Sequence, residues 1–200
     1  MKSILDIDTN IQYKLTDMVV FDIETSGLSY KTDDILEIAI QDYYYENNKF
    51  HTYLFSDKEI SERNKSINKI KASDISKAPK VNDILNHIYK NYSQYIFIGH
   101  NCHEFDAKFF IRKSPNLFLE FKFLDTKHMA RNLLPGLNGG YSMTNLTDLF
   151  GITINNQHTA KGDVEALCKL YNKLSKLLDK PSDIENFIKK GSQIASKMKD

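Results

Sequence analysis

Carboxylates at short spacing, in three separate phrases, are the residues of this chain best suited to do chemistry. Asp22 and Glu24 stand two apart in Phe21-Asp22-Ile23-Glu24-Thr25-Ser26-Gly27. Asp106 closes Gly99-His100-Asn101-Cys102-His103-Glu104-Phe105-Asp106, and Asp163 follows a histidine in His158-Thr159-Ala160-Lys161-Gly162-Asp163. Side chains two apart on a strand leave it on the same face, so Asp22 and Glu24 can share one cation. Hard oxygen ligands of this kind favour magnesium or manganese. Each acid alone has an ordinary explanation: a solvated strand end, an exposed helix position, or, for Asp163, a first helical turn where the macrodipole favours negative charge. Together, four carboxylates and one histidine are the set needed to hold two cations against a phosphodiester and make water nucleophilic.

His158 and Asp163 are five residues apart, which on an ideal helix of 3.6 residues per turn separates them by about 140°. The histidine is therefore expected before the helix, on a loop. There its imidazole, with an unperturbed pKa of about 6.5, can take a proton at neutral pH as a general base. Two unit negative charges about 5 Å apart repel by about 3 kcal/mol at an effective dielectric of 20, so four converging acids call for cations.

The elements that must position these groups follow from the apolar pattern. Met18-Val19-Val20-Phe21 opens a buried strand carrying the first acids. Residues 34–40 and 50–55 read as two more strands joined by the polar turn Glu46-Asn47-Asn48-Lys49, which makes a meander. Val81, Ile84, Leu85 and Ile88 recur at helical spacing, Tyr95-Ile96-Phe97-Ile98 follows as a strand, and Phe105, Phe109 and Phe110 mark a further helix that Asn101 is placed to cap. Phe121-Lys122-Phe123-Leu124 is a short strand, and Asp125 is placed to cap a helix ending before Pro135-Gly136. Residues 144–150 form another helix. Val164, Leu167, Cys168, Leu170, Tyr171, Leu174 and Leu178 lie on a long amphipathic one ended by Pro181. This divides the chain into an N-terminal extension (1–17), one catalytic domain (18–180) and a Lys-rich C-terminal tail (181–200), expected as a surface helix.

Composition sets the limits. With 200 residues, 41% of them hydrophobic, the chain suits one domain with its own core. A formal net charge of +1 excludes a broad basic field, so contacts to nucleic acid must be local. Two cysteines, Cys102 and Cys168, are too few for a disulfide scaffold and fit a reducing compartment. No apolar run approaches the roughly 18 residues that span a bilayer, and acids interrupt the first residues where a signal peptide would be apolar. A soluble cytoplasmic protein with no membrane partner is the expectation.

The order and wording of the phrases resemble the DnaQ-like exonucleases of the DEDDh type. The resemblance runs from about Met18 to Leu178 and rests on the acidic strand with Thr25-Ser26-Gly27-Leu28, on Asp34-Ile35-Leu36-Glu37-Ile38, on His100-Asn101 followed by Phe105-Asp106, on Leu124-Asp125-Thr126, and on His158 to Asp163. It implies an α/β, ribonuclease-H-like fold with a mixed five-stranded sheet flanked by helices. It further implies that Asp22, Glu24, Asp106 and Asp163 bind two divalent cations, Mg2+ or Mn2+, with His158 as general base. Thr25, Gly27 and Leu28 would border the terminal nucleotide, and His100, Asn101 and Phe105 would line the other wall. The implied activity is 3′ to 5′ removal of nucleoside 5′-monophosphates from single-stranded, frayed or mismatched DNA ends, as in polymerase proofreading. The sequence leaves open an exoribonuclease trimming RNA 3′ ends or short oligoribonucleotides, an inactive nucleic-acid-binding or polymerase-docking module, and whether a DNA polymerase is a partner besides nucleic-acid 3′ ends. The chain departs from the family where many relatives carry His-Gly-Ile, the nearest stretch here being Asn68-Lys69-Ile70. It departs again at Lys161, where an apolar residue is common and a side chain in water is expected. Glu37 alternates with Ile35 and Ala39, which fits either support for the site or an edge position in solvent.

Overall fold

A computed structural model describes residues 17–58, 60, 66–154 and 159–198. The N-terminal extension, apart from Asp17, lies outside these residues, as does His158. The acidic strand β1 (Met18–Thr25) is buried along its apolar positions and pairs antiparallel with β2 (Ile35–Asp42), which in turn pairs antiparallel with β3 (Lys49–Tyr53). After the short helix α1 (Ala72–Ile75) and helix α2 (Val81–Tyr92), strand β4 (Ile96–Gly99) joins β1 in parallel. Helices α3 (Asp106–Lys113) and α4 (Pro115–Phe118) lead to β5 (Lys122–Asp125), parallel to β4. Then come α5 (Thr126–Leu133), α6 (Met143–Leu149) and the long α7 (Ala160–Ser175).

Strand period and packing agree. Val20, Ile98 and Leu124 face α7 and pack with Leu167, Leu170 and Leu174. Val19, Phe21, Phe97 and Phe123 face the opposite way, into a core with Phe109, Phe110, Phe118 and Leu85 from α2, α3 and α4. A sheet covered on both faces explains why β1 and β2 read as nearly continuous apolar runs. By the same alternation Asp22 and Glu24 share the α7 face of β1 with Val20.

The five expected strands are present, and the tail adds a sixth. Residues 181–200 were expected as a surface helix; instead a 3-10 turn (Pro181–Phe187) leads into β6 (Ile188–Lys190), antiparallel to β5, and a short helix α8 (Gly191–Ala195). The sheet order is β3-β2-β1-β4-β5-β6. The reason lies in the apolar positions of the tail. Ile184 and Phe187 are buried on the α7 side and Ile194 on the opposite side, so the chain must cross the sheet edge, and an extended segment does this while pairing an otherwise open strand.

Candidate active site

Strand β1 delivers Asp22 and Glu24 to the α7 face, and the start of α7 delivers Asp163. Carboxylate oxygens of Asp22, Glu24 and Asp163 all lie within 4.8 Å of one another, and the three residues are half-buried. The helix start is held by Thr159, whose hydroxyl accepts from Gly162 N at 3.1 Å, a local cap that the sequence Thr159-Ala160-Lys161-Gly162 supplies by itself. Asp106 opens α3 from the C-terminal end of β4 and is 4% exposed. It is not part of the 4.8 Å triangle, but its charge acts on both Asp22 and Glu24.

Burial, followed by the charges of Asp106, Asp163, Glu24 and Glu37, holds Asp22 well above the ordinary carboxylate range. Burial and the neighbouring acids Asp163, Glu37 and Asp106 push Glu24 to about 8. Asp106 is pushed to about 7, again chiefly by burial and also by Asp125, against backbone hydrogen bonds from Asp106 itself and Ile23 that favour its charged form. Hard oxygen donors, crowded and proton-retaining in the protein alone, fit a divalent cation.

The loop after β1 is tightly built. Thr25 Oγ1 donates to the Gly27 carbonyl at 2.6 Å, and Asp33 Oδ2 accepts from Ser29 N at 2.8 Å. A side chain at Gly27 would overlap that Asp33 carboxylate, which explains the glycine without any appeal to unusual backbone angles. Leu28 stands on this loop at 84% exposure. Asp34 ties the loop to its surroundings: its backbone N donates to Ser26 Oγ at 2.9 Å, while its side chain meets Lys113 Nζ at 2.7 Å and Ser56 Oγ at 2.9 Å.

The other wall differs in part from expectation. His100 is half-buried, with Nε2 on the Tyr141 carbonyl and Nδ1 on Thr126 Oγ1, each at 3.0 Å. Burial lowers its pKa to about 4, so the ring is neutral at pH 7 and both nitrogens are engaged within the protein. Asn101 does not cap α3. It lies in the left-handed region at φ 63°, its carbonyl accepts from Glu104 N and Phe105 N, and Phe105 occupies the cap position. Phe105 packs on Phe109 with ring centroids 5.1 Å apart.

Asp125 caps α5 as expected, accepting from Lys127 N and His128 N, and does more. Its two oxygens also accept from Asn101 N at 3.0 Å and His103 N at 3.1 Å, fixing the turn that leads into Asp106. Glu37 is not an edge residue in solvent. It is 2% exposed, opposite Glu24 in the ladder, and holds both His51 and the backbone N of Ala160. Its position on the face of Asp22 and Glu24 was the available signal; His51 had none, since its role depends on β3 pairing with β2. Lys161 is exposed. Asn68-Lys69-Ile70 forms a turn in which Asn68 Oδ1 accepts from Ile70 N at 3.1 Å and Ile70 packs with Leu36, Ile60 and Ile75.

Fold and site together define a ribonuclease-H-like domain organised around a converging acidic cluster. Residues 19–171 match the RNase T family model, described as exonuclease, and the chain belongs to this DnaQ-like exonuclease family. The "3'-5' exonuclease DinG" of Staphylococcus aureus (strain USA300) is 27% identical over 158 residues, which cover 76% of this chain and 17% of that relative. The chain thus corresponds to a small part of the curated relatives it matches. Among solved structures, E. coli exonuclease I in complex with a dA16 oligonucleotide superposes with a TM-score of 0.67 at 17% identity, covering 86% of this chain and 42% of that one. Exonuclease X in complex with 5′ overhanging duplex DNA gives a TM-score of 0.61 at 23% identity, covering 80% and 91%. Among the described residues, no helix is long and apolar enough to cross a membrane.

Proposed function

We propose that this domain is a 3′ to 5′ exonuclease that releases nucleoside 5′-monophosphates from single-stranded or frayed DNA ends. The observation that carries the reading is the convergence of Asp22, Glu24 and Asp163 within 4.8 Å at a half-buried position, beside a loop that presents Leu28 to solvent. The 3′-5′ exonuclease activity by which the DinG relative is named and the oligonucleotide in the exonuclease I structure support polarity and substrate class.

Asp22, Glu24 and Asp163 would hold one cation, and Asp106, beside Asp22, would help to hold a second. When bound, two divalent cations would offset the charge of the four carboxylates, activate the attacking water and stabilise the departing 3′ oxygen. The chain's own groups position the rest. Leu28 offers an apolar face to the terminal base, and the Thr25 to Gly27 turn borders its sugar. Phe105 and the Asn101 turn form the opposite wall, and His100 contributes its ring rather than its nitrogens. His158, two residues before α7 begins at Ala160, takes the proton of the attacking water.

Digestion of 5′-labelled DNA, matched RNA and a duplex with a mismatched end tests the proposal. Stepwise shortening of DNA from the 3′ end, abolished by chelator and cut by about 10²–10³ by Asp22→Asn, is expected. Activity that survives chelator, or full activity in Asp22→Asn, contradicts it, and selective shortening of RNA replaces the substrate assignment. His158→Ala should lower kcat and remove the acidic limb of the pH profile, with metal binding measured by calorimetry retained.

A further inference from the structure

The β1–β2 loop, which follows Glu24, and α3, which opens with Asp106, flank a groove on the side of the sheet opposite α7. The loop contributes Tyr30 and Lys31, α3 contributes Ile111 and Arg112, and the tail contributes Ala195 and Met198. Arg112 lies six residues after Asp106, about 9 Å along the helix at 1.5 Å per residue. Leu28 stands between the carboxylates and Tyr30 in the chain. The β1–β2 loop and α3 thus connect the groove to Leu28 and Asp106 along the chain.

Lys108 pairs with Glu104 at 2.7 Å and Lys113 with Asp34 at 2.7 Å, whereas Lys31 and Arg112 are exposed and make no ion pair among the described residues. In a chain of net charge +1, such uncompensated cations are where a polyanion gains most. The Tyr30 ring, with Lys108 Nζ 5.9 Å from its centroid, adds an aromatic surface, and Ile111, Ala195 and Met198 add an apolar floor. Cations combined with an aromatic platform are the means by which proteins hold single strands without reading sequence.

We propose that this groove holds the single-stranded nucleic acid upstream of the terminal nucleotide, with a base against Tyr30 and phosphates against Lys31 and Arg112. The C-terminal tail supplies one wall of this track. The tail lies beyond residues 19–171, which match the family model. The inference rests on the exonuclease reading for the placement of the strand end.

The test uses a 5′-labelled 15-nucleotide strand and a dinucleotide with the full chain and Lys31→Ala, Arg112→Ala, the double variant and Tyr30→Ala. Fluorescence anisotropy in chelator across a salt series should show weaker binding, with the log-log salt slope reduced by about 0.7 for each phosphate contact removed. Tyr30→Ala should weaken binding about tenfold without changing that slope. With magnesium, the double variant should lose about tenfold in kcat/KM on the long strand and nothing on the dinucleotide. An unchanged salt slope, or equal losses on both substrates, overturns the proposal. So does a dimer of the wild type that Met198→Asp dissociates, since a second copy would then be the occupant. If the wild type hydrolyses neither substrate, the exonuclease reading falls, while the anisotropy slopes still decide the groove.

Discussion

Glu37 Oε1 and His51 Nε2 lie 2.6 Å apart between neighbouring strands, and the second oxygen of the same carboxylate accepts from Ala160 N at 3.3 Å. One buried side chain thus connects β3, β2 and the first residue of α7. Ala160 precedes Asp163 by three residues, so Glu37 helps set where the third carboxylate arrives. It does so at an electrostatic cost, because its charge raises the proton affinity of both Asp22 and Glu24.

Removing that tie should loosen the helix start. Glu37→Ala leaves the buried Ala160 N–H without its acceptor, and a hydrogen bond to a charged group contributes about 1.5–3 kcal/mol. Urea unfolding should show a loss of that order and kcat should fall, whereas His51→Ala, which keeps the Ala160 bond, should retain most of both. Full kcat in Glu37→Ala would show that the helix start needs no such tether.

The crowded acids make stability depend on pH and on metal. Carboxylates raised to about 8 at Glu24 and about 7 at Asp106 bind more protons in the folded than in the unfolded protein. Their contribution is fully present below the ordinary carboxylate values and is lost as pH rises through about 7 to 8. In chelator, Tm should fall between pH 5 and pH 8, and magnesium should raise Tm more at pH 8 than at pH 5.5 because protons compete for the same oxygens. A chelated protein whose melting is flat across this range contradicts the assignment.

Asp22→Asn should separate stability from activity. Removing one of several charges that repel by about 3 kcal/mol per pair at 5 Å and a dielectric of 20 raises Tm in chelator at pH 8. The same change should cut the hydrolysis rate by about 10²–10³, the scale of losing one group that organises transition-state charge. Differential scanning calorimetry and gel-based digestion read the two effects, and a variant both less stable and fully active would refute the trade.

The tail can be tested at a glycine. Gly191 N donates to the Phe121 carbonyl at 2.9 Å and Ser192 N to the Leu119 carbonyl at 2.7 Å, so the chain passes close to the α4–β5 turn. A Cβ at Gly191 would overlap the Phe118 carbonyl oxygen. Gly191→Ala should lower stability by about 1–3 kcal/mol through overpacking, measured by urea unfolding, and Ser192→Ala should not. An unaffected Gly191→Ala variant would mean that the tail is not docked against this turn.

What could be read along the chain was what neighbouring residues decide among themselves. Asp22 and Glu24 share a face because a strand alternates with period two, and the Asp125 cap follows from a short acidic side chain placed before a helical run. The apolar runs likewise announced the strands and helices. The order of strands, and with it the meeting of Asp22, Asp106 and Asp163, depends on parallel pairing between segments 78 residues apart, such as Val20 with Ile98. Local pattern does not specify that pairing; here it was foreseen only through family resemblance. Three features needed the folded chain itself: the burial of Glu37 against His51, the engagement of both His100 nitrogens, and the passage of the Lys-rich tail through a sixth strand. Each depends on a partner remote in sequence, and burial and hydrogen bonding are settled only when the packed elements exclude water from between them.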